Sequence, residues 1–561
     1  YTYDSVQDTY NPITKVAKGE LMEKTQPYYK TTQQYSLNYK NTFNDLHDVE
    51  ALALWEWKET NTNWFMARRY YSTTSAIPEL DRGDVDNMYN EGNSAVYKYG
   101  GLVGRLNYVY AGKYMAEFSF RYDGSYKTAP DKRWGFFPAV SAGWRISEEQ
   151  FMKDLVPQMD NLKLRASWGS IGNDSQLNAS QFVSGWQFED RFILGGAGNS
   201  SASITNGMKE ANLANPNITW YKVMTTNVGL DGSFWGGKLS FEFDYFYRKT
   251  TGYPATRNTS LPTTSGIPLP QENLNSSDNR GFELSLGTVQ RIGNVNLQIK
   301  GNVAYAREKD LYKEQALPLN QYKNWRDNGA YRWKNVTWGY EHIGQFQSYD
   351  EIYNSPIQDG KGNSSLRPGD IKYKDLNGDG LIDANDEKVI GKGTFPDLNF
   401  GLTLAADWKG FDVNILFQGA SNYTQVLNAL TSPFRGPGEG NGFRVWMDSW
   451  HKADYNDPDS EWVPGKFPSL RIEGNDNNSK KSTYWTTDAY YVRLKSIEIG
   501  YTIPKNLLSK VGIEHLRVYA NAYNPLTITN VKYTDPEAIE GWQSFYYPQL
   551  KVYSFGVNVS F

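Results

Sequence analysis

The chain has 561 residues, no cysteine, and 58 Lys and Arg against 62 Asp and Glu, for a formal net charge of −4. The lack of cysteine excludes a disulfide framework and a thiolate metal site. The absence of a basic excess argues against nucleic-acid binding. No stretch approaches the roughly 18 consecutive apolar residues that a membrane-spanning helix needs. The 41 Tyr, 26 Phe and 18 Trp residues are plentiful, and strands that face lipid with every second residue leave no apolar run.

Segments with alternating apolar and polar residues recur in pairs along the chain, and they predict β-hairpins. The first thirty or so residues are polar and turn-rich, which predicts a loop. Ser147, followed by two glutamates, predicts a short capped helix. The predicted strand pairs are 35–39 with 49–57, 102–110 with 114–122, 138–146 with 162–168, 223–230 with 239–248, 281–287 with 295–305, 398–407 with 411–419, and 491–503 with 516–523.

Alternation is clearest in 239–248, where Leu239, Phe241 and Phe243 alternate with polar residues, and in 295–305. In the segment 491–501 the apolar phase slips, and one extra residue near Lys495 would explain the slip as a β-bulge.

The lengths of the connections separate a soluble sandwich from a membrane barrel. Links within the pairs are short, whereas links between pairs are long: 58–101, 169–222, 249–280, 306–397, 420–490 and 524–550. Short periplasmic turns alternating with long outer loops produce this pattern, and long structureless loops are uncommon in soluble domains. We therefore predict an all-β fold, a transmembrane antiparallel β-barrel of about fifteen strands, each near the 9–11 residues that a tilted span needs.

The last strand ends on an aromatic residue. One of its faces carries Tyr553, Phe555, Val557, Val559 and Phe561. This strand resembles the closing strand of bacterial outer-membrane barrels, whose assembly machinery reads a final aromatic preceded by alternating apolar residues. The resemblance implies that these five residues form an assembly signal.

Several longer motifs resemble the SusC/RagA family of TonB-dependent transporters in the outer membrane of Bacteroidetes. They are Gly104-Arg-Leu-Asn-Tyr-Val-Tyr110, Arg121-Tyr-Asp-Gly-Ser125, Phe137-Pro-Ala-Val-Ser-Ala-Gly-Trp-Arg-Ile-Ser147, Leu162-Lys-Leu-Arg-Ala-Ser-Trp-Gly169 with Gly172-Asn173, Gly369-Asp-Ile-Lys-Tyr-Lys-Asp-Leu-Asn-Gly-Asp-Gly380, Tyr491-Val-Arg-Leu-Lys-Ser-Ile-Glu-Ile-Gly-Tyr501, and Leu516-Arg-Val-Tyr-Ala-Asn521 with Asn524-Pro525.

The resemblance implies a barrel of about 22 strands with an N-terminal plug and a SusD-like surface lipoprotein as its lid. On this basis residues 1–561 are expected to be the C-terminal part of the barrel, with the plug domain and about seven first strands absent from the chain. The implied partners are that plug-bearing part, the TonB–ExbB–ExbD complex and the barrel assembly machinery. The implied activity is import of oligosaccharides or peptides rather than enzymatic catalysis, at the bacterial outer membrane with loops at the cell surface.

One acidic segment has the ligand spacing of a calcium loop. Carboxylate or amide oxygens stand at positions 1, 3, 5, 9 and 12, a glycine at 6 and a backbone carbonyl at 7. Position 12 is Asp instead of a bidentate Glu, and no flanking helix is evident, so an acidic turn satisfied by water and backbone is the alternative. The predicted Ca²⁺ ligands are Asp375, Asn377, Asp379, Leu381, Asp383 and Asp386.

Tryptophans in the predicted outer loops could stack on sugar rings, on peptides or on a protein lid. The predicted substrate-binding residues are Trp325, Trp333, Trp338, Trp446 and Trp450, with packing inside the loops as the alternative for each. Two other classes of function stay open. One is a barrel scaffold in an outer-membrane assembly or secretion complex, and the other is a soluble glycan-binding or adhesive β protein.

Overall fold

The computed structural model describes residues 2–4, 9–11, 19–71, 79–86, 88–179, 181–194, 203–257, 269–316, 318, 320–427, 430, 443–471, 476–508, 512–538, 547 and 549–561. For 2–4, 9–11, 187–194, 203–206 and 211–212 it describes the backbone alone. Within these residues, no helix has the length and apolar character to cross a membrane.

The described residues are mostly strand. In chain order the first thirteen strands are β1 (Thr2–Asp4), β2 (Thr9–Asn11), β3 (Gly19–Thr25), β4 (Tyr28–Phe43), β5 (His47–Tyr71), β6 (Tyr89–Tyr110), β7 (Tyr114–Ser125), β8 (Trp134–Arg145), β9 (Met159–Asn173), β10 (Gly185–Leu194), β11 (Ser203–Asn212), β12 (Tyr221–Phe234) and β13 (Leu239–Thr256). The others are β14 (Gln271–Ile292), β15 (Val295–Tyr312), β16 (Val336–Gly339), β17 (His342–Gln345), β18 (Ile371–Tyr373), β19 (Lys388–Lys392), β20 (Leu398–Trp408), β21 (Phe411–Val426), β22 (His451–Lys452), β23 (Trp462–Val463), β24 (Thr486–Thr502), β25 (His515–Thr529) and β26 (Val552–Ser560).

The described helices are short and lie in the connections. The α-helices are α1 (Gln150–Leu155), α2 (Gln321–Asp327), α3 (Tyr349–Tyr353), α4 (Asp476–Ser479) and α5 (Lys505–Leu508). Single 3₁₀ turns span Leu80–Arg82, Ile146–Glu148, Ala384–Asp386 and Arg444–Asp448.

Sixteen of the described strands belong to one large sheet. This confirms the predicted class, all-β and antiparallel, and agrees with the predicted number of about fifteen long strands. The chain divides into two compact units, one made of Tyr1–Tyr108, Glu117–Ala139 and Gly172–Trp220, the other of Val109–Ala116, Val140–Ile171 and Tyr221–Phe561. Each is described by itself.

In the first unit, β3 and β4 both pair antiparallel with the long strand β5. The β4–β5 hairpin closes through Asn44 and Asp45, whose φ angles are 51° and 54°. Asn and Asp tolerate this left-handed conformation better than other non-glycine residues. The hairpin confirms the first predicted strand pair and makes both of its strands longer.

In the second unit, nine strands follow one another in the order β12-β13-β14-β15-β20-β21-β24-β25-β26. Their ladders are antiparallel throughout. The hairpin turns are tight: Gly293 joins β14 to β15, and Lys409 with Gly410 joins β20 to β21, all three with positive φ. These are the short turns that the sequence predicts.

The two faces of this nine-stranded run differ in polarity as predicted. On one face, Phe243 lies opposite Leu284 and Tyr245 lies opposite Phe282. These side chains stay solvent-accessible in the isolated chain, with Tyr245 48% exposed. The opposite face carries polar side chains such as Glu242. An apolar outer face and a polar inner face are the arrangement of a barrel that spans lipid.

The predicted β-bulge is confirmed at Lys495. In the β21–β24 ladder, Leu416 pairs with Ser496 and Phe417 pairs with Leu494, so Lys495 has no partner there. A slip of one residue moves the following side chains to the other face. Tyr491 and Arg493 therefore point to the polar side. Without the bulge, the alternation of residues 497–501 would place them on the apolar side.

Three details of the prediction are wrong. The first thirty residues contain strands in their described parts, because β3 and the start of β4 find a partner in β5. The predicted strand 223–230 ends too early, because β12 continues as far as Phe234. Ser147 does not cap a helix: it lies in a 3₁₀ turn, and α1 begins three residues later after Glu149, whose side chain makes no capping hydrogen bond.

Candidate functional site

The described parts of the long outer segments 306–397 and 420–490 pack against each other around a shared apolar cluster, which we call the outer core. Six of its side chains are 5% exposed or less, among them Trp485 and Tyr373 at 1%. Burial of this extent stabilises two segments that the sequence alone would assign to loops. The outer core consists of Tyr340, Ile371, Tyr373, Ile382, Leu427, Leu430, Trp446, Phe467 and Trp485.

A buried ion pair fastens the two segments next to the outer core. The guanidinium of Arg471, 6% exposed, contacts both carboxylate oxygens of Asp370, which is 0% exposed. Asn478 donates a hydrogen bond of 2.8 Å to the same carboxylate, and the backbone N–H of Arg367 donates another of 2.9 Å. A buried charge is tolerated when its lone pairs are satisfied in this way, so the pairing holds the two segments in one arrangement.

The last outer connection is anchored to the polar face of the sheet by Arg493, which we call the Arg493 anchor. Its side chain is 2% exposed and binds Asp535 at 2.9 Å and Glu537 at 2.5 Å. Tyr491 donates a hydrogen bond of 2.8 Å to Glu537, and Tyr423 donates one of 2.8 Å to the carbonyl of Pro536. The bulge at Lys495 brings Tyr491 and Arg493 to this face.

The predicted calcium loop folds as a series of turns stabilised by its own acidic side chains. Asp375 accepts hydrogen bonds from the backbone N–H groups of Gly378 and Gly380, at 2.6 and 2.9 Å. Both glycines have positive φ, 76° and 80°. Asn377 and Asp379 each accept from the N–H two residues further on, both at 2.9 Å. The turn that the spacing predicts is therefore present.

The end of the loop is closed by Asp383 and Asp386, which form a reciprocal capping box around Ala384–Asp386. Asp386 is 0% exposed, and its two oxygens accept from Leu376 and Asp383 at 2.7 and 2.9 Å. Among the residues that the structure describes, no three His, Asp or Glu side chains converge as a metal site would need. The predicted oxygen ligands are present in the loop, where they accept hydrogen bonds from its backbone, and calcium binding stays a prediction.

The predicted substrate-binding tryptophans occupy three different environments. Trp446 and Trp450 are buried, at 6% and 5% exposure, and they pack inside the outer segments. Trp325 is 60% exposed on α2 and is tilted against Tyr322. Trp338 is half-buried beside Arg326, with the guanidinium 5.9 Å from the ring centre.

Trp333 is half-buried, and its backbone bridges to Lys309 near the end of β15. Contact of any of the five with a ligand stays a prediction. Of the five, only Trp325 has most of its surface open to solvent.

Ion pairs line the polar face of the sheet at the positions where the alternation places charges. Arg165 binds Asp231 at 3.0 Å and Asp244 at 2.5 Å. In the same way Arg517 contacts Asp412 and, at 2.8 Å, Glu498. These groups cross-link neighbouring strands, which accounts for their presence without a ligand.

The C-terminal strand β26 has one long-range partner in the described structure, β25. On its apolar face Phe555 is 86% exposed and Phe561 85% exposed, with Tyr553 at 63%, Val557 at 62% and Val559 at 40%. The five residues of the predicted assembly signal thus share one accessible apolar face. Recognition by assembly machinery stays a prediction.

A partly buried histidine joins β17 to the second outer segment. The backbone N–H of His342 donates to the Thr483 hydroxyl at 2.9 Å, and its Nδ1 lies 2.8 Å from the same oxygen. The ring meets Tyr484 edge-on at 5.5 Å. Burial lowers the pKa of His342 below its ordinary value, with a smaller opposing effect from Glu341.

Sequence reasoning missed the Arg493 anchor and the Asp370–Arg471 pair. Asp370 and Arg493 do stand inside the motifs Gly369–Gly380 and Tyr491–Tyr501 that carry the family resemblance. Their partners are 101 residues away for Asp370 and 42 to 44 for Arg493. The motifs could have singled out these residues, but nothing in the sequence pairs them.

A large antiparallel sheet with an apolar face, short turns at one end and long folded segments at the other defines an outer-membrane β-barrel protein. The family model "TonB dependent receptor-like, beta-barrel" matches residues 1–525. The chain belongs to this family, whose members are integral outer-membrane transport proteins and not enzymes.

Relatives and solved structures agree with this assignment. TonB-dependent receptor P3 of Formosa agariphila is 28% identical over 98% of this chain and 55% of its own length. TonB-dependent receptor SusC of Bacteroides thetaiotaomicron is 26% identical over 82% of this chain and 43% of its own length. The chain thus spans about half the length of the curated relatives that it matches.

The solved structure of the RagAB peptide importer in the "open-open" state has a TM-score of 0.76 at 21% identity, over 98% of this chain and 56% of that chain. Its "closed-closed" state gives 0.73 at 22% identity, over 98% and 57%. This likeness shows that the fold is shared.

Replacing Arg493 by Met should release the last outer connection from the sheet. The change leaves Asp535 and Glu537 without their cation, and because both are partly exposed we expect a local loss of about 2 to 4 kcal/mol. Hydrogen exchange of residues 531–538 should rise, while that of β20 stays unchanged. Arg82→Met, at a side chain that is 65% exposed, is the control. Unchanged protection of 531–538 would show that the anchor contributes nothing.

The acidic loop should bind calcium with a Kd of about 10⁻⁵ to 10⁻³ M, the range of sites with comparable ligand sets. Because carboxylates supply the charge, the double variant Asp375→Asn and Asp379→Asn should lose at least about tenfold in affinity by isothermal titration. The control is Asp459→Asn, an exposed acid elsewhere in the outer segments. If the unaltered protein takes up no calcium, the loop is an acidic turn and not a metal site.

Acidification should loosen the contact between β17 and Thr483. An unfolded histidine titrates near pH 6.5, and His342 titrates lower when folded. Its contribution to stability is therefore complete above about pH 6.5 and is lost as the pH falls through the lower folded value. Hydrogen exchange of residues 340–345 should increase between pH 7.5 and 5.5. His342→Gln should remove the dependence, and His515→Gln, at an exposed site, should not.

Proposed function

We propose that this chain forms the barrel part of a SusC-like TonB-dependent importer for oligosaccharides or peptides. In this proposal an N-terminal part that carries the plug completes the barrel, and a SusD-like surface lipoprotein closes the outer side as a lid. The TonB–ExbB–ExbD complex supplies energy by pulling on the plug. The barrel assembly machinery recognises the apolar face of β26, which ends on Phe561.

The observation that carries the proposal is the folded state of the outer segments. A lid that opens and closes needs a rigid rim to dock against, because ordering of mobile loops at each closure would oppose binding. The outer core, the Asp370–Arg471 pair and the Arg493 anchor each remove this freedom in advance. The similarity to SusC, and the fold shared with a protein described as a peptide importer, support the same function.

The aromatic residues near Arg326 suit glycans and peptides alike. Trp325 and Trp338 on the second unit offer aromatic faces next to Arg326, and sugar rings and peptide side chains both stack on such faces. Both substrate classes therefore stay in the proposal. Calcium in the loop 375–386 would stiffen the outer segments and takes no part in transport chemistry.

The test is native mass spectrometry of the particle extracted in detergent, with peptide mapping of each component. We expect a plug-bearing polypeptide, a surface lipoprotein and a releasable small ligand whose mass names the substrate class. In the same particle, the variant Arg493→Met should lose the lipoprotein more readily than the unaltered protein. Stable protein partners of another kind and an empty cavity would overturn the importer in favour of a scaffold in an assembly or secretion complex.

A further inference from the structure

Three cationic side chains surround one indole near the outer ends of β14 and β15, away from the short turn that joins the two strands. The ring centre of Trp333 lies 4.3 Å from the guanidinium of Arg307, 5.9 Å from that of Arg280, and 5.9 Å from the ammonium of Lys309. Distances of this size are those of cation–π contacts. A fourth cation, Lys249 on β13, lies opposite Asp278 on β14.

The register places this cluster on the apolar, lipid-facing side of the strands. Arg280 lies directly opposite Arg307 in the β14–β15 ladder, and two positions below them Phe282 lies opposite Tyr305. Since alternate residues share a face, the two arginines continue the row of lipid-facing residues upward. Trp333 bridges to Lys309, and its contacts with Arg280 and Arg307 place its ring on this side as well. None of the four cations belongs to the polar face.

The height of the cluster matches the outer headgroup layer. A strand tilted by about 40° rises ~2.5 Å per residue along the membrane normal. From Val295, next to the short turn, to Tyr305 the strand therefore climbs ~25 Å, the height of the apolar band. Tyr305 then lies where an outer aromatic belt is expected. Arg307 stands ~5 Å higher and Lys309 ~10 Å higher, at the level of lipid headgroups.

The acids beside these cations are buried, whereas the cations reach the surface. Asp278, 1% exposed, lies 2.5 Å from Arg280, whose side chain is 41% exposed. Asp397, 6% exposed, lies 3.6 Å from Arg307, whose side chain is 22% exposed. Two acids thus face four cations, and two like charges stand directly opposite each other, which is unfavourable for a strand pair. An external anion would compensate this excess.

We propose that Lys249, Arg280, Arg307 and Lys309 bind the phosphate groups of lipids in the outer leaflet of the membrane. Guanidinium groups bind phosphate oxygens through paired, charge-assisted hydrogen bonds. The indole of Trp333 keeps the cations together and itself occupies the interface that tryptophan favours. This role for Trp333 differs from substrate binding. The inference goes beyond the proposed import function, because it does not depend on what the barrel transports.

The test uses the detergent-extracted transporter that contains this chain, with diphosphorylated lipid A as the probe and lipid A stripped of its phosphates as the reference. Native mass spectrometry would count bound lipid after titration. The unaltered protein should retain the phosphorylated lipid at least about tenfold better, as expected for the loss of charge-assisted hydrogen bonds. The variant with Arg280, Arg307 and Lys309 all changed to Gln should lose this preference.

The matched control changes cations of the same strands on the polar face, Arg248→Gln with Lys300→Gln, and should keep the preference. Equal retention of both lipids by the unaltered protein would overturn the proposal even if the triple variant failed to fold. Full retention of phosphorylated lipid by a folded triple variant would overturn it too. Displacement of the lipid by millimolar inorganic phosphate alone would show a general anion site and contradict the assignment to lipid.

Discussion

The lipid interior contains no water to bind backbone N–H and C=O groups, and the rest of this structure depends on that constraint. Each strand that crosses must give all of its backbone hydrogen bonds to its neighbours. In the nine-stranded run from β12 to β26, the strands from β13 to β25 meet this demand with an antiparallel ladder on each side and tight glycine-containing turns. The same demand fixes the side chains: one face must suit lipid, and the other is free to carry ion pairs such as Arg165–Asp244.

Outside the lipid this constraint is absent, because water can bind the backbone groups. Order there needs another source of stability. In the outer segments this stability comes from the apolar outer core, which includes Trp485 and Tyr373. Buried charges then fix which surfaces meet, since Asp370 without Arg471 would be an uncompensated buried carboxylate. The outcome is a preformed rim in the described parts of these segments, and the proposed docking of a lid depends on it.

The bulge at Lys495 lies where β24 passes from its lipid-crossing part to the outer part of the protein. Below it, β24 alternates as a lipid-crossing strand must. Above it, the slip turns Tyr491 and Arg493 to the polar side, where they hold the last outer connection. Near the outer ends of β14 and β15 there is no such slip. The row of lipid-facing residues continues there and changes from Phe282 and Tyr305 to arginines. Register therefore decides which charged side chains meet the inside of the barrel and which meet the membrane.

The sequence by itself determined the fold class, the strand pairs, the bulge and the family, because strand alternation, turn residues and connection lengths are local properties of the chain. It also located the acidic loop, whose turns follow from residues two to five positions apart. It could not determine that Trp446 and Trp450 would be buried while Trp325 stayed exposed, nor that Arg493 would find Asp535 and Glu537. Those outcomes depend on contacts between residues far apart in the chain. Only the packing of one outer segment against another decides them, because no local sequence pattern specifies which distant residues come into contact.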